Sequence, residues 1–269
     1  MTAGRYAVGA MGVRVVTEVS GDRAAEVLDR LPSLWEYCPA DDLPEDAPTV
    51  TVEVVHVSDE ATGRAADAAG QVSRRHADDL LQVLTQRITV AAIDALAGRV
   101  HLLHAAALAD PGTGIAHAFV APGGTGKTTL VRTLGPGFAY VTDETVAVAD
   151  DLTVSPYPKP LSIRRTPGSL LKDETPPRAL GLTPSAGPVR LGAVWLLDRR
   201  EDHDGPPAVR LLDPLDAVVA LTQQVSHLAV MDRPLQRLAA VVDAVGGLRR
   251  VTYRDATDLR HLLGEDAAS

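Results

Sequence analysis

The residues best equipped for chemistry lie in one run, Ala121-Pro122-Gly123-Gly124-Thr125-Gly126-Lys127-Thr128-Thr129. Three glycines let the backbone curl until successive N–H groups face inward, where they can meet anionic oxygens. The start of a following helix adds partial positive charge to the same point. Lys127 is spaced to bridge the outer phosphates of a nucleoside triphosphate, and the Thr128 hydroxyl to ligate a magnesium ion. Thr129 is the poorer metal ligand, because the first hydroxyl after the lysine is the one that faces the cation. The run fits the Walker A pattern except that Ala121 replaces the first glycine, at a strand end where a small residue suffices. An apolar run enters it and a helical pattern leaves it, which separates a phosphate loop from a chance glycine turn. The ligands implied are ATP and Mg²⁺, held by residues 121–129.

A second tier of residues flanks this loop. His104 sits in Leu102-Leu-His-Ala-Ala106, and Asp143-Glu144 in Tyr140-Val-Thr-Asp-Glu-Thr145. A hydroxyl nucleophile needs a carboxylate to take its proton, and a magnesium ion needs an anionic partner. An acidic pair beyond a strand next to the loop lies where α/β sheets bind ligands. Lys159, Arg164 and Arg165 are weaker candidates for a phosphate or substrate contact. Asp198, after the apolar run Gly192–Leu197, has the look of a second metal-side carboxylate. No zinc spacing and no Gly-x-Ser-x-Gly elbow occurs. A guanine-reading Asn/Thr-Lys-x-Asp is excluded, since the lysines are Lys127, Lys159 and Lys172.

His-Ala before the loop, Gly-Gly-Thr-Gly-Lys-Thr-Thr-Leu within it and Val-Thr-Asp-Glu after it resemble the HPr kinase/phosphorylase family. The phosphoenolpyruvate carboxykinases carry a similar loop, and Pro156-Tyr-Pro-Lys-Pro-Leu-Ser162 resembles a segment of small HPr-kinase-related bacterial proteins. The resemblance covers residues 75–165 and, loosely, the tail. It implies a phosphotransferase with His104 beside the γ-phosphate, Lys127 on the phosphates, Asp143 as base, and Thr128, Glu144 and Asp143 around the metal. The family usually shows Asp-Asp where this chain has Asp-Glu, so the division of roles between Asp143 and Glu144 stays open. The acceptor implied is a seryl-type hydroxyl of a small molecule, peptide or carrier protein, and the HPr enzyme resembled is an oligomer. The family's later signature loop is not found here, so phosphorylase activity is not carried over. The alternative is a regulatory or scaffold protein that binds nucleotide with weak or no ATPase activity.

The elements that must position these residues read as α/β, with a small α+β module at 1–70, and the resemblance implies a P-loop mixed-sheet kinase core at 71–269. In the module, Arg5–Ala10, Val13–Val19 and Thr49–Val57 read as strands and Asp22–Leu31 as a helix. The small, polar Ser58–Gly70 is the expected boundary. Leu80, Leu81, Leu84, Ile88, Ala92 and Leu96 recur at helical spacing, closed by Gly98. Val100–Leu108, Ile115–Val120 and Phe138–Thr142 read as strands around the loop, with a helix to Leu134. Residues 150–188 show little periodicity. Gly192–Leu197 and Ala208–Leu212 are expected as buried strands, Asp213-Pro214 opens a helix to His227, and Asp232–Val245 is another. Arg250–Tyr253 reads as a strand and Asp255–Leu263 as a helix.

Composition bounds the rest. The 269 residues are 45% hydrophobic and 23% charged, ordinary for a globular chain. Aromatics at 3% leave the core to Val, Leu and Ala. A net charge of −9 argues against nucleic acid or an anionic membrane as partner. The single Cys38, the absence of a signal-peptide pattern and the lack of an apolar run near ~20 residues lead to a cytoplasmic expectation.

Overall fold

The computed structural model describes residues 2–166 and 168–264, so the outer ends of the ranges 1–70 and 71–269 fall outside it. The chain forms two compact units. One comprises the residues up to Ala95 together with Lys159–Leu180, and the other Leu96–Pro158 with the residues from Gly181 onward. The division therefore falls after the helix Ala77–Ala95, not near residue 70. That helix buries Leu80, Leu81, Leu84, Ile88 and Ala92 and packs on the strands that precede it.

In the first unit, strands Thr2–Ala10 and Val13–Gly21 form an antiparallel hairpin. Met11 and Gly12 turn it with φ of 54° and 85°, the left-handed pair that matches the twist of a two-residue hairpin. Val13, Val15, Thr17 and Val19 alternate inward, as a half-buried strand requires. Thr49–His56 and Val72–Arg74 extend the sheet in parallel. Ser58–Gly70, expected as the boundary, contains a helix at Glu60–Ala68. Asp59 caps it by accepting from the Thr62 amide at 2.8 Å. The irregular stretch 150–188 also holds structure. Leu161–Arg164 pairs with Lys172–Thr175 as a hairpin, and Lys172 N–H donates to Gln82 Oε1 at 2.9 Å.

The second unit is built on an eleven-stranded mixed sheet. Its loop strand, Ile115–Val120, lies between Ala105–Ala109, antiparallel, and Val189–Arg199, parallel. Alanines at 105, 107, 109, 116 and 118 build the core with Leu238, Val241 and Val242 of the helix Pro234–Ala244. Asp213 caps the helix Pro214–Thr222 through the Leu215 and Asp216 amides, but the helix stops at Thr222, short of His227. Ala208–Leu211 is an outer strand beside Leu248–Tyr253 and is exposed throughout, not buried. The final helical turn, Ala256–Leu263, is 3₁₀. Among the described residues no helix is long and apolar enough to cross a membrane.

Candidate functional site

The loop after Val120 takes a shape that glycine alone supplies cheaply. Gly124 and Gly126 have φ of 84° and 100°, the left-handed region that L residues avoid. A Cβ added at Gly123, Gly124 or Gly126 would meet nothing within 4 Å, so these residues present bare backbone to open space. Gly126 hands over to the helix Lys127–Leu134, accepting its first turn from Leu130 N–H at 2.8 Å. Ala121 is fully buried at the strand end, consistent with a tight requirement for a small side chain there. Thr125 closes the curl by donating its hydroxyl to Pro122 O at 2.8 Å.

Lys127 folds back over this curl. Its Nζ donates to Ala121 O at 2.5 Å and Pro122 O at 3.2 Å. Burial pushes its pKa down to about 8, against the opposing pull of the Asp143 and Glu144 carboxylates. An ammonium held by two carbonyls inside a glycine curl can exchange them for anionic oxygens at small conformational cost.

The strand Ala139–Thr142 delivers the acidic pair to the same place. Asp143 is buried, and the Thr128 hydroxyl donates to its Oδ2 at 2.8 Å. The Tyr140 phenol donates to the other oxygen, Oδ1, at 3.2 Å. Thr129, by contrast, is exposed. Glu144 is half-buried; its backbone N–H donates to Thr142 Oγ1 at 3.2 Å and its carbonyl accepts from Ala105 N–H at 3.2 Å. The hydroxyl of Thr128 and the carboxylate of Asp143 are hard oxygen donors of the kind that hold a magnesium ion. Among the described residues there is no group of three or more His, Cys, Asp or Glu able to hold a metal.

His104 does not lie within a continuous strand 100–108. It occupies the break between His101–Leu103, which pairs with Val146–Val148, and Ala105–Ala109, which pairs with the loop strand. Its backbone N–H donates to Gln224 O at 2.7 Å. Burial and the Lys127 ammonium lower its pKa, opposed by Glu144 and Asp143. The four side chains are thus within electrostatic reach of one another.

The remaining sequence candidates have other surroundings. Lys159, Arg164 and Arg165 belong to the first unit. Lys159 is buried with Nζ on Pro160 O at 3.0 Å. Arg164 donates to Ser169 O, and Arg165 pairs with Asp173 at 2.6 Å and with Asp79 at 3.5 Å. Asp198 accepts from Arg200 Nε and from Thr252 Oγ1, at 3.2 and 3.1 Å. Tyr140 was legible only as part of a motif. What would have singled it out is a bulge: Ala107 faces Thr142 while Leu108 faces Tyr140, leaving Val141 as an extra residue.

No protein-family model matches the chain, and no curated protein matches it. Among solved structures, it is similar to the Hpr(Ser) kinase/phosphatase from Coxiella burnetii, at 13% identity and a TM-score of 0.34. That alignment covers 60% of this chain and 90% of the other. A likeness of that size carries no argument about function.

Proposed function

We propose that this chain is an ATP- and magnesium-dependent kinase that transfers the γ-phosphoryl group to a hydroxyl of a small molecule, peptide or carrier protein. The observation that carries this reading is the Thr128–Asp143 hydrogen bond of 2.8 Å beside Lys127. It joins the two halves of a phosphotransfer site, a phosphate cradle and a cation-side carboxylate, from segments separate in sequence. The amides of Gly123–Thr129 and the Lys127 ammonium hold the phosphate oxygens. Thr128 and Asp143 hold the magnesium ion, which when bound neutralises charge on the phosphates.

Asp143 has an oxygen on Thr128 and an oxygen on Tyr140, which favours the cation side for it over the role of base. Glu144, half-buried and within reach of both Lys127 and His104, is the better placed carboxylate to take the acceptor's proton. His104, with burial and Lys127 favouring its neutral form, serves as a hydrogen-bonding partner at the phosphate.

The test is incubation with ATP, magnesium and candidate acceptors, read by intact mass. A gain of one phosphate on an acceptor, lost in Asp143→Asn and Glu144→Gln, is expected. ADP released with every acceptor left unmodified would overturn the kinase assignment in favour of an ATPase or switch.

A further inference from the structure

Tyr140 is fully buried, three residues before the acidic pair. The strand carries an extra residue, Val141, beside Tyr140, and bulges re-aim side chains. Asp143 lies just past the strand's end at Thr142, and the Tyr140 phenol donates to its Oδ1 at 3.2 Å. A phenol donates one proton, and Asp143 Oδ2 is already engaged by the Thr128 hydroxyl. The Thr128 proton thereby points at Asp143, leaving a lone pair of that hydroxyl for a cation.

We infer that Tyr140 is a positioning residue for the cation side of this site. Its phenol fixes the rotation of the Asp143 carboxylate so that Oδ2 stays on Thr128 and the two oxygens are preorganised as a pair. The inference rests on the nucleotide-binding reading above and adds a residue that touches neither nucleotide nor cation. The competing explanation is that Asp143 merely satisfies a buried phenol, which needs a partner wherever it is buried.

A double-mutant cycle separates the two. ATP affinity is measured by titration calorimetry with magnesium and with EDTA for the wild type, Tyr140→Phe, Asp143→Asn and the double variant. The readout is the ratio of the two affinities. Phenylalanine keeps the ring volume, and a thermal melt of each protein checks folding. Losing the phenol should lower the ratio about tenfold, the lower end of what partners of metal ligands contribute. In the Asp143→Asn background the same change should have no further effect, because Tyr140 acts through Asp143. A full ratio in Tyr140→Phe, or losses that add in the double variant, would overturn the inference while leaving the nucleotide site standing. A wild type that binds no ATP removes the nucleotide reading, and this inference with it.

Discussion

The Thr128 hydroxyl and Asp143 Oδ2 lie 2.8 Å apart across fifteen residues of sequence. Thr128 belongs to the first turn of the helix Lys127–Leu134, and Asp143 follows the strand Ala139–Thr142. The bond therefore fixes a helix start against a strand end. Thr128→Val should abolish the magnesium dependence of ATP binding and remove one donor from the buried Asp143 carboxylate, at a cost of about 1–3 kcal/mol. Thr128→Ser should restore both. Calorimetric titration with a denaturant melt reads the two effects, and a valine variant with unchanged magnesium dependence would contradict the pairing.

Glycine substitutions should divide cleanly by position. Gly126 has φ of 100° with open space at its Cβ, so Gly126→Ala should cost only the left-handed backbone, about 1–2 kcal/mol. Its ATP affinity should nonetheless drop roughly tenfold or more, since a Cβ stands between backbone and phosphate. At Gly21, φ is 115° and a Cβ would overlap the His56 carbonyl. Gly21→Ala should lose about 3 kcal/mol or more through backbone strain and overlap. Equal thermal shifts in the two variants would refute the distinction.

The depressed pKa of Lys127, about 8 against an ordinary 10.5, gives ATP binding a proton signature. Anionic phosphates favour the charged ammonium and raise the pKa in the complex. Below pH 8 the lysine is already charged, so binding takes up no proton there. Above it, binding must take up a proton, and affinity should fall by at most about tenfold per pH unit. Calorimetry in buffers of differing ionisation enthalpy measures the uptake. An uptake near zero at pH 9 would show that Lys127 does not meet the phosphates.

His101 is fully buried, its Nε2 3.2 Å from Asp150 Oδ1, and Arg237 Nε also pairs with Asp150 at 3.0 Å. Burial lowers the His101 pKa below 6.5, partly offset by Asp150, and His104 shifts in the same direction. The unfolded chain then binds more protons than the folded one between the folded value and 6.5. Stability is complete above pH 6.5 and is lost as the pH falls through that window. Melting temperature should decline on acidification below pH 6.5, and His101→Gln should flatten the decline. An unaltered slope in the variant would remove His101 from the account.

The parts of this fold set by local chemistry were legible in the sequence. Glycine spacing marked the loop at 121–129, the Asp213-Pro214 pair marked a helix start, and periodicity marked the helix that buries Leu80, Leu84 and Ile88. The features missed depend on partners distant in sequence. The break at His104 has no glycine or proline to announce it; it arises because the residues on its two sides pair with different strands. The paired strands Leu161–Arg164 and Lys172–Thr175 read as irregular because few of their residues are buried. The helix Glu60–Ala68 carried a real signal, Asp59 ahead of Glu60 and Thr62, masked by small and polar residues.

The most direct test of the central claim is ATP binding, with magnesium, by the wild type and by Lys127→Ala. The account predicts saturable binding by the wild type and a loss of about a hundredfold or more in the variant, since a charge-assisted contact to phosphate is removed from a buried site. Equal affinity in the two proteins would mean that the glycine curl before Lys127 grips no phosphate, and the site described here would not be a nucleotide site.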